Sequence, residues 1–134
     1  MVTTPKTADA LVVFEDGCPD IERAARAIAE RLEGGGRAAK ALAASSVSIP
    51  DILAAGLFAF GAETNDSPSY AEIARVMRGI NLAGRKAVFF GSSGAAVARL
   101  RGLCADTEAA AAHPDLVGKR LDGIAIAAWL RGLA

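Results

Sequence analysis

Two short stretches of this 134-residue sequence gather residue types that can do chemistry. The first holds Glu15, Asp16, Asp20 and Glu22, immediately after the apolar run Leu11 to Phe14. Carboxylates so placed can hold a divalent cation, or they can stand at a helix start and stabilise its positive end by about 0.3–1 kcal/mol each. The second, Gly91-Ser92-Ser93-Gly94-Ala95, follows another apolar run and partly matches the elbow that presents a nucleophilic serine, with Asp106 and His113 later in a workable order. The elbow's closing glycine is Ala95, however, so a plain tight turn is the better reading, and His113 before Pro114 reads as a loop residue. Cys18 would gain acidity at a helix start, but Asp16 and Asp20 oppose a thiolate there, so a small packing residue is expected. Cys18 and Cys104 are too few for a disulfide scaffold, lack zinc-site spacing, and are expected not to bond to one another.

Composition narrows the partners. Lys plus Arg and Asp plus Glu both number 15, and a net charge of zero argues against nucleic acid or an anionic membrane. No apolar run reaches the roughly 20 residues of a membrane helix, and Met1 to Ala10 lacks the order of a signal peptide, so a cytoplasmic location is expected. The length suits one hydrophobic core: a single domain over residues 10–134 behind a polar tail, residues 1–9. Trp129 and the five Phe residues read as packing, not as a platform for bases.

The elements that position those residues follow from periodicity. Leu11 to Phe14 reads as a strand buried on both faces. Ile21, Ala25, Ile28 and Leu32 share one helix face, with Pro19 in the first turn and Gly34 to Gly36 at the end. Arg37 to Leu42 reads as a half-exposed strand, Ile49 to Ala54 as a helical turn, and Gly56 to Gly61 and Ala87 to Gly91 as buried strands. Between the last two, Ile73, Val76, Met77 and Ile80 form a helical stripe that starts after Ser67 and Pro68 and ends near Gly84. Ala95 to Cys104 reads as a helix, Thr107 to Ala112 as a last strand, and Asp122 as the cap of a closing helix bearing Ile126, Leu130 and Leu133. This alternation predicts an α/β three-layer sandwich with a five-stranded parallel sheet of order 2-1-3-4-5. A crevice then opens at the carboxyl ends of strands 1 and 3, bordered by Glu15 to Asp20, Ala62 to Ser69 and Ser92 to Gly94.

The stretch Gly56 to Gly94, with its strand ending in Gly61, polar loop, helix, and Leu82-Ala83-Gly84-Arg85-Lys86-Ala87-Val88-Phe89-Phe90-Gly91, resembles short-chain flavodoxins. The first strand and helix and the region from Asp115 to Ala134 fit the same family, so the likeness spans nearly the whole chain. It implies single-electron transfer through noncovalent FMN and a redox or regulatory protein partner. It also implies a cofactor edge at Asp16, Gly17, Cys18 and Asp20, at Gly61, Ala62, Thr64 and Asn65, and at Ser92, Ser93 and Gly94.

The sequence departs from that family where the phosphate would sit. A run of Ser and Thr around Gly is replaced by Asp16-Gly17-Cys18-Pro19-Asp20-Ile21, in which no hydroxyl survives and Pro19 offers no N–H. Each aspartate beside a phosphate charge costs on the order of 3 kcal/mol at ~5 Å and an effective dielectric of ~20. That is roughly a hundredfold in affinity. Ala62 to Ser69 and Ser92 to Gly94 carry no aromatic to stack on a flavin; Tyr70 is the nearest. FMN binding is therefore expected to be weakened or lost. The alternative is a non-flavin binding or regulatory module on the same fold. A receiver-like form would use Glu15 and Asp16 for a cation, with Ser92 and Lys119 nearby, but Gly61 stands where its phosphate-accepting Asp belongs and only Glu63 is near.

Overall fold

In the computed structural model, which describes residues 9–64, 68–105, 107–111, 113–119 and 121–131, five parallel strands form one sheet. They are β1 (Ala10–Phe14), β2 (Ala39–Ala43), β3 (Leu57–Ala62), β4 (Lys86–Gly91) and β5 (Leu116–Val117), in the order β2-β1-β3-β4-β5. The expected order and three-layer architecture are both present. Period-two alternation assigns the faces. Leu11, Val13, Phe58, Phe60, Ala87 and Phe89 pack under α2 (Ile49–Ala54), α3 (Ala71–Met77) and α4 (Gly94–Cys104). Val12, Phe14, Leu57, Ala59, Val88 and Phe90 pack under α1 (Pro19–Gly34) and α5 (Gly123–Leu130). Each large apolar side chain so buried contributes about 1.5–3 kcal/mol.

Aromatic packing ties the first core to the carboxyl edge. The Phe60 ring lies 5.9 Å from Phe58 and 6.1 Å from Phe89, both stacked, and meets Tyr70 edge-on at 6.5 Å. Tyr70 is fully buried, and its hydroxyl donates to the carbonyls of Gly61 at 2.8 Å and Val13 at 3.2 Å. Burial pushes its ionisation well above the usual range. The residue expected nearest a flavin ring is thus a core residue that bridges β1 and β3. Level register, with Phe14 opposite Gly61, brings the loops after these strands together.

The last strand differs from expectation. Of the expected stretch Thr107 to Ala112, Ala112 lies outside the described residues, and residues 107–111 do not form the strand, because Thr107 turns its hydroxyl back to the Cys104 carbonyl at the end of α4 and Glu108 adopts φ 66°, outside the strand region. Within that stretch Ala110 makes a single bridge to Lys86, and the strand proper is Leu116–Val117 beside Phe90 and Gly91. Arg101 directs this path. Its guanidinium holds Asp115 at 2.7 Å, donates to the carbonyls of Ala111 and His113, and lies 5.0 Å above the Phe89 ring. The closing helix begins as expected, with Asp122 accepting from the Ala125 amide at 2.8 Å; Leu133 lies outside the described residues.

Cys18 belongs to the core under α1 and Cys104 to the core on the other side of the sheet, so both are free. Burial pushes each thiol up to about 12, aided at Cys18 by hydrogen bonding to Glu63 and by the charge of Glu15. Neither is a nucleophile at neutral pH. No helix among the described residues is long and apolar enough to cross a membrane.

Candidate functional site

Glu15 directly follows β1 and shares the parity of Leu11 and Val13, so its side chain turns toward the loop that leaves β3. Its Oε1 accepts from the backbone amides of Glu63 at 2.7 Å and Thr64 at 3.0 Å, and its Oε2 accepts from the Thr64 hydroxyl at 2.7 Å. The residue is 5% exposed. Its own amide donates to the Gly61 carbonyl at 3.1 Å. The carboxylate therefore sits where an external acceptor would meet the donors of the β3 loop.

Asp16 turns the other way. One carboxylate oxygen accepts from the Ser45 amide at 3.1 Å and the other from the Ser45 hydroxyl, while the Asp16 amide donates to Ser69 Oγ at 3.3 Å. Ser45 is held in a 3-10 turn, Ala44–Ser46, between β2 and α2. Ser48 and Asp51 anchor the far side of this turn as a capping box at the start of α2, and Lys40 pairs with Asp51 at 2.6 Å. The hydrogen bond from Lys40, then those from the Ser48 amide and hydroxyl, lower the Asp51 carboxyl from 3.8 to about 2. A depressed folded-state value stabilises above the unfolded value and is lost as pH falls. Asp51→Asn is thus expected to cost about 1 kcal/mol at pH 7, given the exposed lysine. The deficit should vanish between pH about 4 and about 2, which urea midpoints at the three pH values would check.

Asp20 and Glu22 lie on α1 and pair along the helix, with Arg23 at 3.0 Å and Arg26 at 2.9 Å. The four acidic residues thus face three directions. Among the described residues, no group of three His, Cys, Asp or Glu side chains is arranged to hold a metal ion.

No protein-family model and no curated protein sequence matches the chain. Solved structures do. A short-chain flavodoxin associated with a non-canonical PDU bacterial microcompartment superposes with a TM-score of 0.81 over 93% of this chain and 95% of its own, at 16% identity. The fold is flavodoxin-like. Oxidised Flavodoxin 1 from Bacillus cereus gives 0.79 over 92% and 93% at 20% identity. The rubredoxin oxygen:oxidoreductase from the anaerobe Desulfovibrio gigas gives 0.75 over 91% of this chain and 33% of that larger one, at 19% identity. Identities of this order establish the fold and leave the ligand open.

The flavodoxin-like fold brings Asp16, Gly17, Thr64 and Ser92 to the three loops around the β1/β3 crevice. Gly17 turns the chain at φ +77°. Ser92 donates its amide to the Ala62 carbonyl at 3.3 Å and its hydroxyl to the Glu63 carbonyl at 3.1 Å, joining two of the loops. Ser93 caps α4 by accepting from the Ala96 amide at 3.2 Å, and Gly94 is the first residue of that helix. Cys18 and Ala62 pack in the cores, and Asp20 is exposed on α1. Gly61 and Gly91 are packing glycines: a Cβ at Gly61 would lie 2.2 Å from the Phe90 ring, and one at Gly91 2.6 Å from the Ala62 carbonyl oxygen. Asn65 and Asp106 lie outside the described residues. The nucleophile elbow does not form. Ser93, at the serine position of that motif, is extended at φ −149° with its hydroxyl engaged as the cap of α4, and the His113 ring nitrogen bonds the Trp129 carbonyl at 2.8 Å. Glu15 as an acceptor, with Ser45 and Ser69 as partners of Asp16, was not foreseen from the sequence; strand parity carried through Glu15 is the signal that would have found it.

Proposed function

We propose that this chain is a flavodoxin-like protein of the cytoplasmic electron-transfer type in which FMN binding is weakened or lost. The observation that carries this reading is the Glu15 carboxylate on the amides of Glu63 and Thr64. Those donors would otherwise be available to the polar edge of a flavin ring, and a carboxylate holding two amides and a hydroxyl is not displaced without cost. The turn at Asp16 adds to it. A phosphate there would face the charges of Asp16 and Asp20 and find Pro19 without an N–H, so the residues present do not fit that group. No side chain is assigned a redox step. Titrating FMN with purified protein is expected to leave its fluorescence essentially unquenched up to roughly 100 μM protein, a hundredfold above a micromolar flavin site. Strong quenching at micromolar protein would overturn the reading.

A second reading, a non-flavin binding or regulatory module at the same edge, is favoured by one further feature. A cavity of about 570 Å³ lies beside the starts of α1 and α5, lined by Asp20, Arg23, Lys119, Leu121 and Asp122. Both signs of charge around one leucine suit a protein partner, redox or regulatory. The receiver-like form has less support, because Glu15 and Asp16 bind different loops and share no site.

A further inference from the structure

At the end of the molecule away from these loops, α1 and α5 finish side by side around a second cleft of about 380 Å³. Its polar lining comes from Arg31 in the last turn of α1, Arg37 just before β2, and Arg131 at the end of α5; Leu32, Ala127 and Leu130 add apolar surface. Among the described lining residues there is no carboxylate. Elsewhere Arg23, Arg26, Lys40, Arg75 and Arg101 each hold a carboxylate. Among the described residues, Arg31 and Arg131 are in no such pair. Sequence spacing explains this, since positions 27, 28, 34 and 35 around Arg31, and 127 and 128 around Arg131, carry only Ala, Ile and Gly.

Favourable placement of a cation at a helix C-terminus accounts for one arginine on each helix. It does not account for both converging, with a third from the next segment, on one cleft. Moreover, the last carbonyls of α1 are already taken: Arg31, Leu32 and Glu33 accept from the amides of Gly35, Gly36 and Arg37. Guanidinium forks match oxyanions in bidentate geometry, and the volume falls within the roughly 300–1,000 Å³ of small-molecule sites. We propose that this cleft binds a small organic anion bearing more than one phosphate or carboxylate group, independently of the loops at the opposite edge.

The test is a titration of the ¹⁵N-labelled full chain with pyrophosphate, and separately with citrate, at constant ionic strength. The expected result is saturable movement of the amide signals of residues 31–37 and 127–131, half-complete below about 1 mM. The tighter of the two anions identifies phosphate or carboxylate as the preferred group. Arg31→Gln/Arg131→Gln should weaken binding at least about tenfold. Arg31→Lys/Arg131→Lys keeps the charge without the fork and should fall between, with a cooperative unfolding transition well above the titration temperature in each variant as the folding control. Movement that stays linear in anion concentration, saturable binding undiminished in the Gln variant, or movement centred on residues 15–18 and 62–64 would each overturn the proposal.

Discussion

Glu15→Ala is expected to lower stability by about 3 kcal/mol, which for a chain of this size is roughly 10 °C in melting temperature. The substitution removes the acceptor of two backbone amides and one hydroxyl, and it leaves a gap beneath the loop that follows β3. An orphaned buried donor costs about 1–3 kcal/mol, but Glu63 and Thr64 lie at the surface, where water can partly replace the carboxylate, so the sum stays well below its maximum. Glu15→Gln keeps an acceptor oxygen, loses the charge, and should cost about half as much. Thermal and urea unfolding of the three proteins decide the matter. A loss below about 0.5 kcal/mol, ordinary for a surface change, would show that the carboxylate does not hold the loop.

Gly91→Ala is expected to cost about 3 kcal/mol in the ligand-free protein, and Gly61→Ala about 2 kcal/mol. At Gly91 the new methyl would meet a backbone carbonyl oxygen at 2.6 Å and Val97 at 3.1 Å, and β4 is paired there on both sides, with Ala62 of β3 and Val117 of β5, which leaves the backbone little room to step aside. At Gly61 the obstacle is the Phe90 ring, which is itself buried and set edge-on to Trp129 at 6.1 Å, so it yields only by disturbing the core under α1 and α5. Urea unfolding of the purified variants measures both. Glycines kept for the approach of a ligand would behave in the opposite way, leaving the free protein as stable as before.

The fold was legible because its signals are periodic and long. Continuous apolar runs at β1, β3 and β4, each followed by glycine or polar residues, and the stripe Ile21-Ala25-Ile28-Leu32 leave few topologies, and the sheet order follows from them. The short edge strand was not legible. Leu116–Val117 is two residues long and is placed by the Arg101 clamp across fourteen positions, a tertiary contact that no local pattern reveals. At the site, sequence spacing grouped Glu15, Asp16, Asp20 and Glu22 as one cluster, whereas strand end, turn and helix send them to three different sets of partners. Proximity in sequence suggests a shared site only while the backbone holds one conformation, and here it changes twice within eight residues. The Ser45 and Ser69 contacts of Asp16 span 29 and 53 positions and belong to the same class of long-range information.

Hydrogen exchange of the Glu63 and Thr64 amides is the most direct probe of the arrangement at Glu15. Both belong to exposed loop residues, yet both donate to a buried carboxylate, so they should exchange at least about a hundredfold more slowly than free peptide and lose that protection in Glu15→Ala. Exchange at the free-peptide rate in the unmodified protein would mean that those donors stand open to an external ligand, and a flavin would then have its place at this edge.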